Sequence, residues 1–289
     1  MLKKDINYFN DKVTWITGAS SGIGESLAYE LSKHHSMLII TARNKEALER
    51  VKNNCICPGK VKILQGDLSM PNSLQVLTGS ALQFFGRIDI VIHNAGIASK
   101  DLVENTPSEI DRKIMELNYF APVIITKALL PEMLKRKSGH IVVISSLSGK
   151  YGVPKLSAYA ASKHALHGFF ESLRAEVSDK NIKVSMIIPG FINTEITRKA
   201  LLGNGEAYGK KDIVVRKGMS PGSCAGKMIK AIAQGKAESL IGGAEVWSVR
   251  IKNLFPSLFA LIIRNHPLKK YRKIKSIFTF KTHSSWKPL

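Results

Sequence analysis

The sequence predicts an α/β chain folded as one doubly wound parallel sheet of about seven strands, with helices on both faces. Three observations carry that expectation. Short apolar runs alternate with amphipathic stretches almost throughout, the pattern of repeated βαβ units. A glycine-rich turn follows the first apolar run and opens the first helical stretch. Finally, 289 residues, 44% hydrophobic and 22% charged, supply one large core plus an appendage rather than two domains.

Taken in order, the buried strands are expected at 13–17, 37–41, 61–65, 88–92, 140–145, 183–188 and 238–241. Helical periodicity occupies 22–33, 45–53, 73–85, 108–137, 157–178 and 221–234. Right-handed crossovers place these helices on both faces of a twisted sheet. The connection 191–219, rich in glycine and charge, is long for a compact domain and reads as a lid or binding loop. One catalytic domain is therefore expected over 1–243, with a C-terminal extension over 244–289. No repeat or low-complexity tract interrupts it.

The first twelve residues are polar and lack the apolar stretch of a secretion signal, which points to the cytoplasm. Cys55, Cys57 and Cys224 are odd in number and share no repeated spacing, so a disulfide framework is not expected. Cys55 and Cys57 have no ligand pair nearby in the sequence, and no metal is called.

The turn after the first strand reads Thr17-Gly18-Ala19-Ser20-Ser21-Gly22-Ile23-Gly24. Glycine here lets backbone N–H groups approach a pyrophosphate at a helix N-terminus. The spacing Gly-x-x-x-Gly-x-Gly departs from the usual Gly-x-Gly-x-x-Gly, and a plain turn is the competing reading. After the second strand a carboxylate would hold a ribose 2′-hydroxyl, but Thr41-Ala42-Arg43-Asn44 stands there. Arg43 suits a 2′-phosphate and favours NADP(H) over NAD(H), unless it is a solvated residue beside an Asn44 cap. Asp67, after the third strand, lies at the adenine edge or simply caps a helix.

Tyr159 and Lys163 are four apart, a spacing that puts both on one helical face. A fixed ammonium beside a phenol favours the phenolate, the tuning an acid/base for an alcohol–ketone pair requires. Thirteen positions before Tyr159, Ser146 closes a strand, and Asn94-Ala95-Gly96 ends another in the same crevice. Pro122, four residues after Asn118, has no N–H for the Asn118 carbonyl, so the helix there should kink. A carbonyl freed toward the cleft would anchor a relay water; a tolerated kink without a role is the alternative.

Thr17–Gly24, Asn94-Ala95-Gly96, Asn118, Ser146, Tyr159, Lys163 and Pro189-Gly190, in this order and strand context, resemble the short-chain dehydrogenase/reductase family. The resemblance covers roughly Lys12 to Gly243 and implies a Rossmann-type fold. It implies that Tyr159 exchanges the proton with the substrate oxygen while Ser146 positions that oxygen. Lys163 would bind the nicotinamide ribose and lower the tyrosine pKa. Asn118 would hold the relay water, and Thr194 would contact the carboxamide. His93 stands where the family commonly has asparagine. His164 and His167 on the same helix read as packing or surface residues rather than ligands. The stretch from Gly149 through Ala165 looks most like reductases of lipophilic ketones, the subgroup that includes hydroxysteroid dehydrogenases and dehydrogenase/reductase member 7 types. It implies a steroid, retinoid or long-chain lipid substrate, and the family's habits imply a homodimer.

The net charge is +21, and from Ile251 to Leu289 there is no Asp or Glu. The run 254–263 is apolar, broken by Pro256, and shorter than the about 20 residues a spanning helix needs. Lysines and aromatics follow, including Lys269, Lys270, Arg272, Tyr271 and Trp286. This composition suits the interface of an anionic membrane, though packing over the pocket and a solvated tail compete. A non-catalytic NADP-binding regulator, or a nucleic-acid or membrane binder using the basic tail, is the alternative function. No nucleic-acid motif supports the nucleic-acid version, and a regulator would leave Tyr159 and Lys163 unexplained.

Overall fold

The computed structural model describes residues 7–265. Seven strands form one sheet: β1 (Val13–Thr17), β2 (Met37–Ala42), β3 (Val61–Gln65), β4 (Ile90–His93), β5 (Gly139–Ile144), β6 (Ile182–Pro189) and β7 (Glu238–Ile241). All pairings are parallel, in the order β3-β2-β1-β4-β5-β6-β7. The chain winds outward from β1 in one direction and from β4 in the other. Loops leaving these two neighbours part at their carboxyl ends, and a crevice opens between them.

The helices are α1 (Gly22–Lys33), α2 (Lys45–Asn53), α3 (Leu74–Phe85), α4 (Ser108–Met115), α5 (Ala121–Arg136), α6 (Ser157–Glu176), α7 (Ile213–Arg216), α8 (Pro221–Ala233), α9 (Trp247–Leu254) and α10 (Pro256–Arg264). One core packs Leu27 and Leu31 of α1, Leu48 of α2 and Met228 of α8 on Ile16 and Ile40 of the sheet. The opposite core packs Leu74, Ile125, Leu129, Leu166 and Phe170 on Trp15, Val91 and Val143. Side chains alternate between the two faces along each strand, so the central strands β1, β2, β4 and β5 are buried along almost their whole length.

The fourth strand begins at Ile90 rather than 88, because Asp89 is used as a polar clamp. Its carboxylate accepts from the Val13 N–H (2.9 Å) and from Arg87 and Arg136 (3.0 Å each). The helix expected over 108–137 is interrupted by one π-helical turn, Glu116–Phe120, between α4 and α5. Pro122 follows that turn and cannot donate to the Asn118 carbonyl, so a widened turn replaces a regular one.

Residues 191–219 leave β6 and return to α8 through a closed base. The Asn193 N–H donates to Met219 O and the Met219 N–H to Phe191 O, both at 2.9 Å. The middle is tied to the loop after β4: the Leu201 N–H donates to Ala98 O and the Lys100 N–H to Leu201 O, both at 2.8 Å. Beneath these ties the buried Lys100 ammonium pairs with Asp212. After β7 come α9 and α10, separated at Phe255, and the apolar run 254–263 lies almost wholly in α10. Val249 and Phe259 face inward, against Leu147, Ile188 and Tyr151. The basic and aromatic residues from Pro267 to Leu289 lie outside the described residues. No described helix is long and apolar enough to cross a membrane.

Candidate active site

The glycine-rich turn lies at the carboxyl end of β1. Gly18 (φ +67°) and Gly22 (φ +61°) adopt left-handed backbone that other residues rarely reach. A Cβ on Gly18 would lie 2.7 Å from Ala95 Cα, and one on Gly22 would lie 3.1 Å from Thr194 Cγ2. A Cβ on Gly24 would strike the Gly18 carbonyl and the Asn94 side chain. The turn is thus pressed between the β4 end and Thr194. Ser21 stands at the N-cap of α1 without a side-chain hydrogen bond there, so its hydroxyl does not close the helix terminus. Ser20 is steadied by Arg50, which donates to its carbonyl (3.2 Å) and to Glu25 (2.5 Å).

Asn94 binds this loop rather than facing the cleft. Its Nδ2 donates to Thr17 O (3.0 Å) and Gly18 O (3.1 Å), while the Asn94 and Ala95 N–H groups donate to Thr17 Oγ1 (3.0 and 3.1 Å). Gly96 leaves room for Lys163 and Asn118: a Cβ there would lie 3.1 Å from Asn118 Oδ1 and 3.6 Å from Lys163 Nζ. Arg43 follows β2 directly and is exposed, its carbonyl held by Gln65 Nε2 (2.9 Å). Asp67 accepts from the Ser69 N–H (2.9 Å) and hydroxyl (2.7 Å). Partial burial works against its ionisation, but those hydrogen bonds and the charges of Arg43 and Lys113 prevail and hold its carboxyl below the usual range.

Asn118 is buried within the π turn. Its amide exchanges two hydrogen bonds with the backbone of Ile97 (2.9 Å each) and donates to Ser162 Oγ (3.0 Å). The side chain therefore staples the β4 loop to α6.

Tyr159 and Lys163 lie one turn apart on α6, with Lys163 Nζ 5.8 Å from the centre of the Tyr159 ring. The Tyr159 phenol lies beside Ser146. Burial raises the phenol above its ordinary 10.0 and the Ser146 side chain draws it partly back. Lys163 is buried, donates to Ile144 O (2.9 Å), and is lowered by that burial to about 8. Its ammonium is turned to the β5 carbonyl, and burial governs the phenol. At neutral pH the pair is a protonated phenol beside an ammonium.

Several supporting residues were not legible in the sequence. Ser146 Oγ accepts from the Ser148 N–H (3.2 Å), which orients it. Glu245, just before α9, accepts from the Phe191 and Gly243 N–H groups (3.0 Å each). Its carboxylate fills the space a Cβ on Gly190, Gly242 or Gly243 would need. It pins the first residue after Pro189-Gly190. Behind the site, His167 bonds Ser145 Oγ (2.9 Å) and Glu171 (3.2 Å), and Glu238 takes Lys150 (2.6 Å). These partners account for the His167, Glu171 and Glu238 cluster, whose ligand atoms lie within 4.8 Å of one another. His164 bonds the Ala160 carbonyl (2.8 Å) within its own helix.

Comparison with known proteins supplies the context for this geometry. The family model described as short chain dehydrogenase matches residues 12–204. A dehydrogenase/reductase SDR family protein 7-like from Drosophila melanogaster is 40% identical over 269 residues, 91% of this chain and 82% of the relative. A solved short-chain dehydrogenase/reductase from Burkholderia phymatum, in complex with NAD, superposes with a TM-score of 0.77 at 23% identity, covering 85% of this chain and 94% of the other. A short-chain dehydrogenase from Sphingobium yanoikuyae, in complex with NADPH, gives 0.72 at 24% identity, covering 87% and 95%.

Proposed function

The chain belongs to the short-chain dehydrogenase/reductase family of oxidoreductases, and we propose that it is an NADP(H)-dependent reductase of a lipophilic ketone. The observation that carries the proposal is the placement of the Tyr159 phenol beside Ser146, with Lys163 one helical turn away. A phenol kept protonated by burial is the form that donates to a carbonyl oxygen as it becomes an alkoxide. Ser146 would hold that oxygen, and the Lys163 ammonium would bind the cofactor ribose and steady the phenolate left behind. Asn118 would keep Gly96 and α6 in register, its carbonyl holding the relay water.

The cofactor's residues follow from the cradle. Gly18, Ser20, Ser21, Gly22, Ile23 and Gly24 would meet the pyrophosphate, and Asn94, Ala95 and Gly96 would floor the crevice. Asp67 would edge the adenine, while Pro189, Gly190 and Thr194 would meet the carboxamide. The fold accepts either dinucleotide, since one neighbour carries NAD and another NADPH. The preference rests on Arg43, an exposed guanidinium where a carboxylate would select a free 2′-hydroxyl. When bound, the nicotinamide supplies the hydride. The subgroup likeness favours a steroid, retinoid or long-chain keto substrate, worked on by a homodimer at a membrane's periphery.

The test is NADPH oxidation against a panel of such ketones. Tyr159→Phe should cut kcat by about 10²-fold or more while NADPH binding, read by fluorescence, survives. If turnover persists in that variant, the proton donor has been misassigned.

A further inference from the structure

The inner and outer faces of the C-terminal helix pair differ sharply. Inward, Phe259 stacks edge-on against Tyr151 with centroids 4.8 Å apart, and Tyr151 Oη lies 2.7 Å from Ser248 Oγ. The Lys252 ammonium donates to the Lys150 carbonyl, and Glu245 holds the Phe191 N–H at 3.0 Å. These contacts brace the loop that joins Ser146 to Tyr159 and the first residue of the 191–219 connection. Outward, Trp247 (57% exposed), Leu254 (71%), Phe255 (58%), Leu258 (52%), Leu261 (54%) and Ile262 (48%) face solvent. Leu258, Leu261 and Ile262, three and four apart on α10, form an exposed apolar stripe, and Leu254 and Phe255 stand exposed at the break before it. So much apolar surface on one short segment is unusual for a face that water covers.

Charge decides between the possible occupants. The chain from Ile251 onward has no acidic residue, and Arg264 at the end of α10 is followed by Lys269, Lys270, Arg272, Lys273 and Lys275 in the sequence. A second copy of the same face would bring like charges together, and a neutral partner would leave them unused. An anionic lipid surface takes both features at once, the apolar stripe entering the acyl boundary and the cations remaining among headgroups. Trp247, with the Arg250 guanidinium 4.3 Å from its ring, is the amphipathic residue that settles at such a boundary.

We propose that the outer face of α9 and α10 docks on the surface of an anionic phospholipid bilayer, without crossing it. The inner face of the same helices then sets the two rims of the substrate crevice beside the membrane. The docking claim stands apart from the reductase reading, because its test reads no turnover.

The experiment is flotation of the full chain with vesicles of phosphatidylcholine alone or with about 30% phosphatidylserine, at low and high salt. Binding to the serine-containing vesicles is expected, weaker on phosphatidylcholine alone and weakened by salt. The double variant Leu258→Glu, Leu261→Glu should lower vesicle affinity roughly tenfold or more, with an unchanged melting temperature and unchanged NADPH binding. Changing Lys269, Lys270, Arg272 and Lys273 to Gln should erase the serine preference. Flotation that survives the double variant overturns the proposal, as does binding indifferent to phosphatidylserine. Failure of the full chain to float also overturns it. In that case, light scattering that falls from dimer to monomer in the double variant would assign the face to a second copy.

Discussion

Arg43 and His93 each replace a residue with different physical consequences. Arg43 is exposed and its side chain is available to a bound phosphate, while Asp67 across the edge is already committed to Ser69. A charge-assisted hydrogen bond contributes about 1.5–3 kcal/mol. Arg43→Ala should therefore raise the KM for NADPH about 10- to 100-fold and leave that for NADH nearly unchanged. Steady-state kinetics with both cofactors checks this, and an unaltered preference removes Arg43 from the specificity argument. His93 is buried with Nε2 2.9 Å from Thr126 Oγ1, and Nδ1 has no hydrogen-bond partner among the described residues. Burial pushes it from 6.5 down to about 3, and His140 likewise. A histidine held neutral by the fold stabilises nothing extra above the unfolded value of 6.5. Below it the unfolded chain takes the proton first, so stability falls from pH 6.5 toward pH 3. At pH 5 the loss is about 2 kcal/mol for each such histidine. Urea unfolding at pH 7.5 and 5.0 should show a smaller loss in His93→Asn than in the parent; equal losses would mean that His93 opens to water.

At the scale of elements, the site depends on how loops are held at strand ends. The β4 loop is fastened from below by Asn94 and Thr17 and from the side by Asn118, so three elements share one rigid floor. The 191–219 connection depends on a residue more than fifty positions away. Glu245 bonds the Phe191 N–H and occupies the space beside Gly190. Partial burial works against its ionisation, but hydrogen bonds from backbone N–H groups prevail and keep the carboxyl below its ordinary range. Glu245→Ala should leave NADPH binding within a few-fold but raise the ketone KM about tenfold, since a lost hydrogen bond to a charged group costs about 1.5 kcal/mol or more. Glu245→Gln, which can still accept, should recover most of it. Equal damage from both would point to a general packing defect. The π turn before Pro122 belongs to the same scale. Its wider ring is what carries Asn118 inward to Ile97 and Ser162.

For the whole molecule, the open question is assembly. The face made by α5, α6 and the preceding π turn leaves Phe120 (44%) and Leu134 (37%) exposed, with Tyr119 edge-on to both Phe120 and Phe169. The family's habit of pairing through these helices makes a homodimer our expectation. Light scattering should give twice the 31.9 kDa chain mass. Phe120→Asp should shift the mass toward the monomer, because a charge cannot be buried unpaired at an apolar contact. A monomeric parent, or a dimer indifferent to Phe120→Asp, would move the interface elsewhere.

The order of strands and helices was readable because short, mostly apolar runs alternate with amphipathic stretches of helical period, which is what a parallel sheet covered on both faces requires. β1, β3, β7, α1 and α2 have the very bounds the pattern marks. The cofactor turn and the Tyr159–Lys163 pair were readable for a related reason: each is local, set by glycine conformation or by helical pitch. What pattern could not supply was anything fixed by distant neighbours. Glu245 on Phe191, the Asn118 amide as a staple to Ile97 and Ser162, and Lys163 turned to Ile144 all depend on which surfaces meet after folding. Burial decides the same way. The charge states of Tyr159 and Lys163 follow from water excluded by the assembled fold, a property of the packed molecule that no single segment carries.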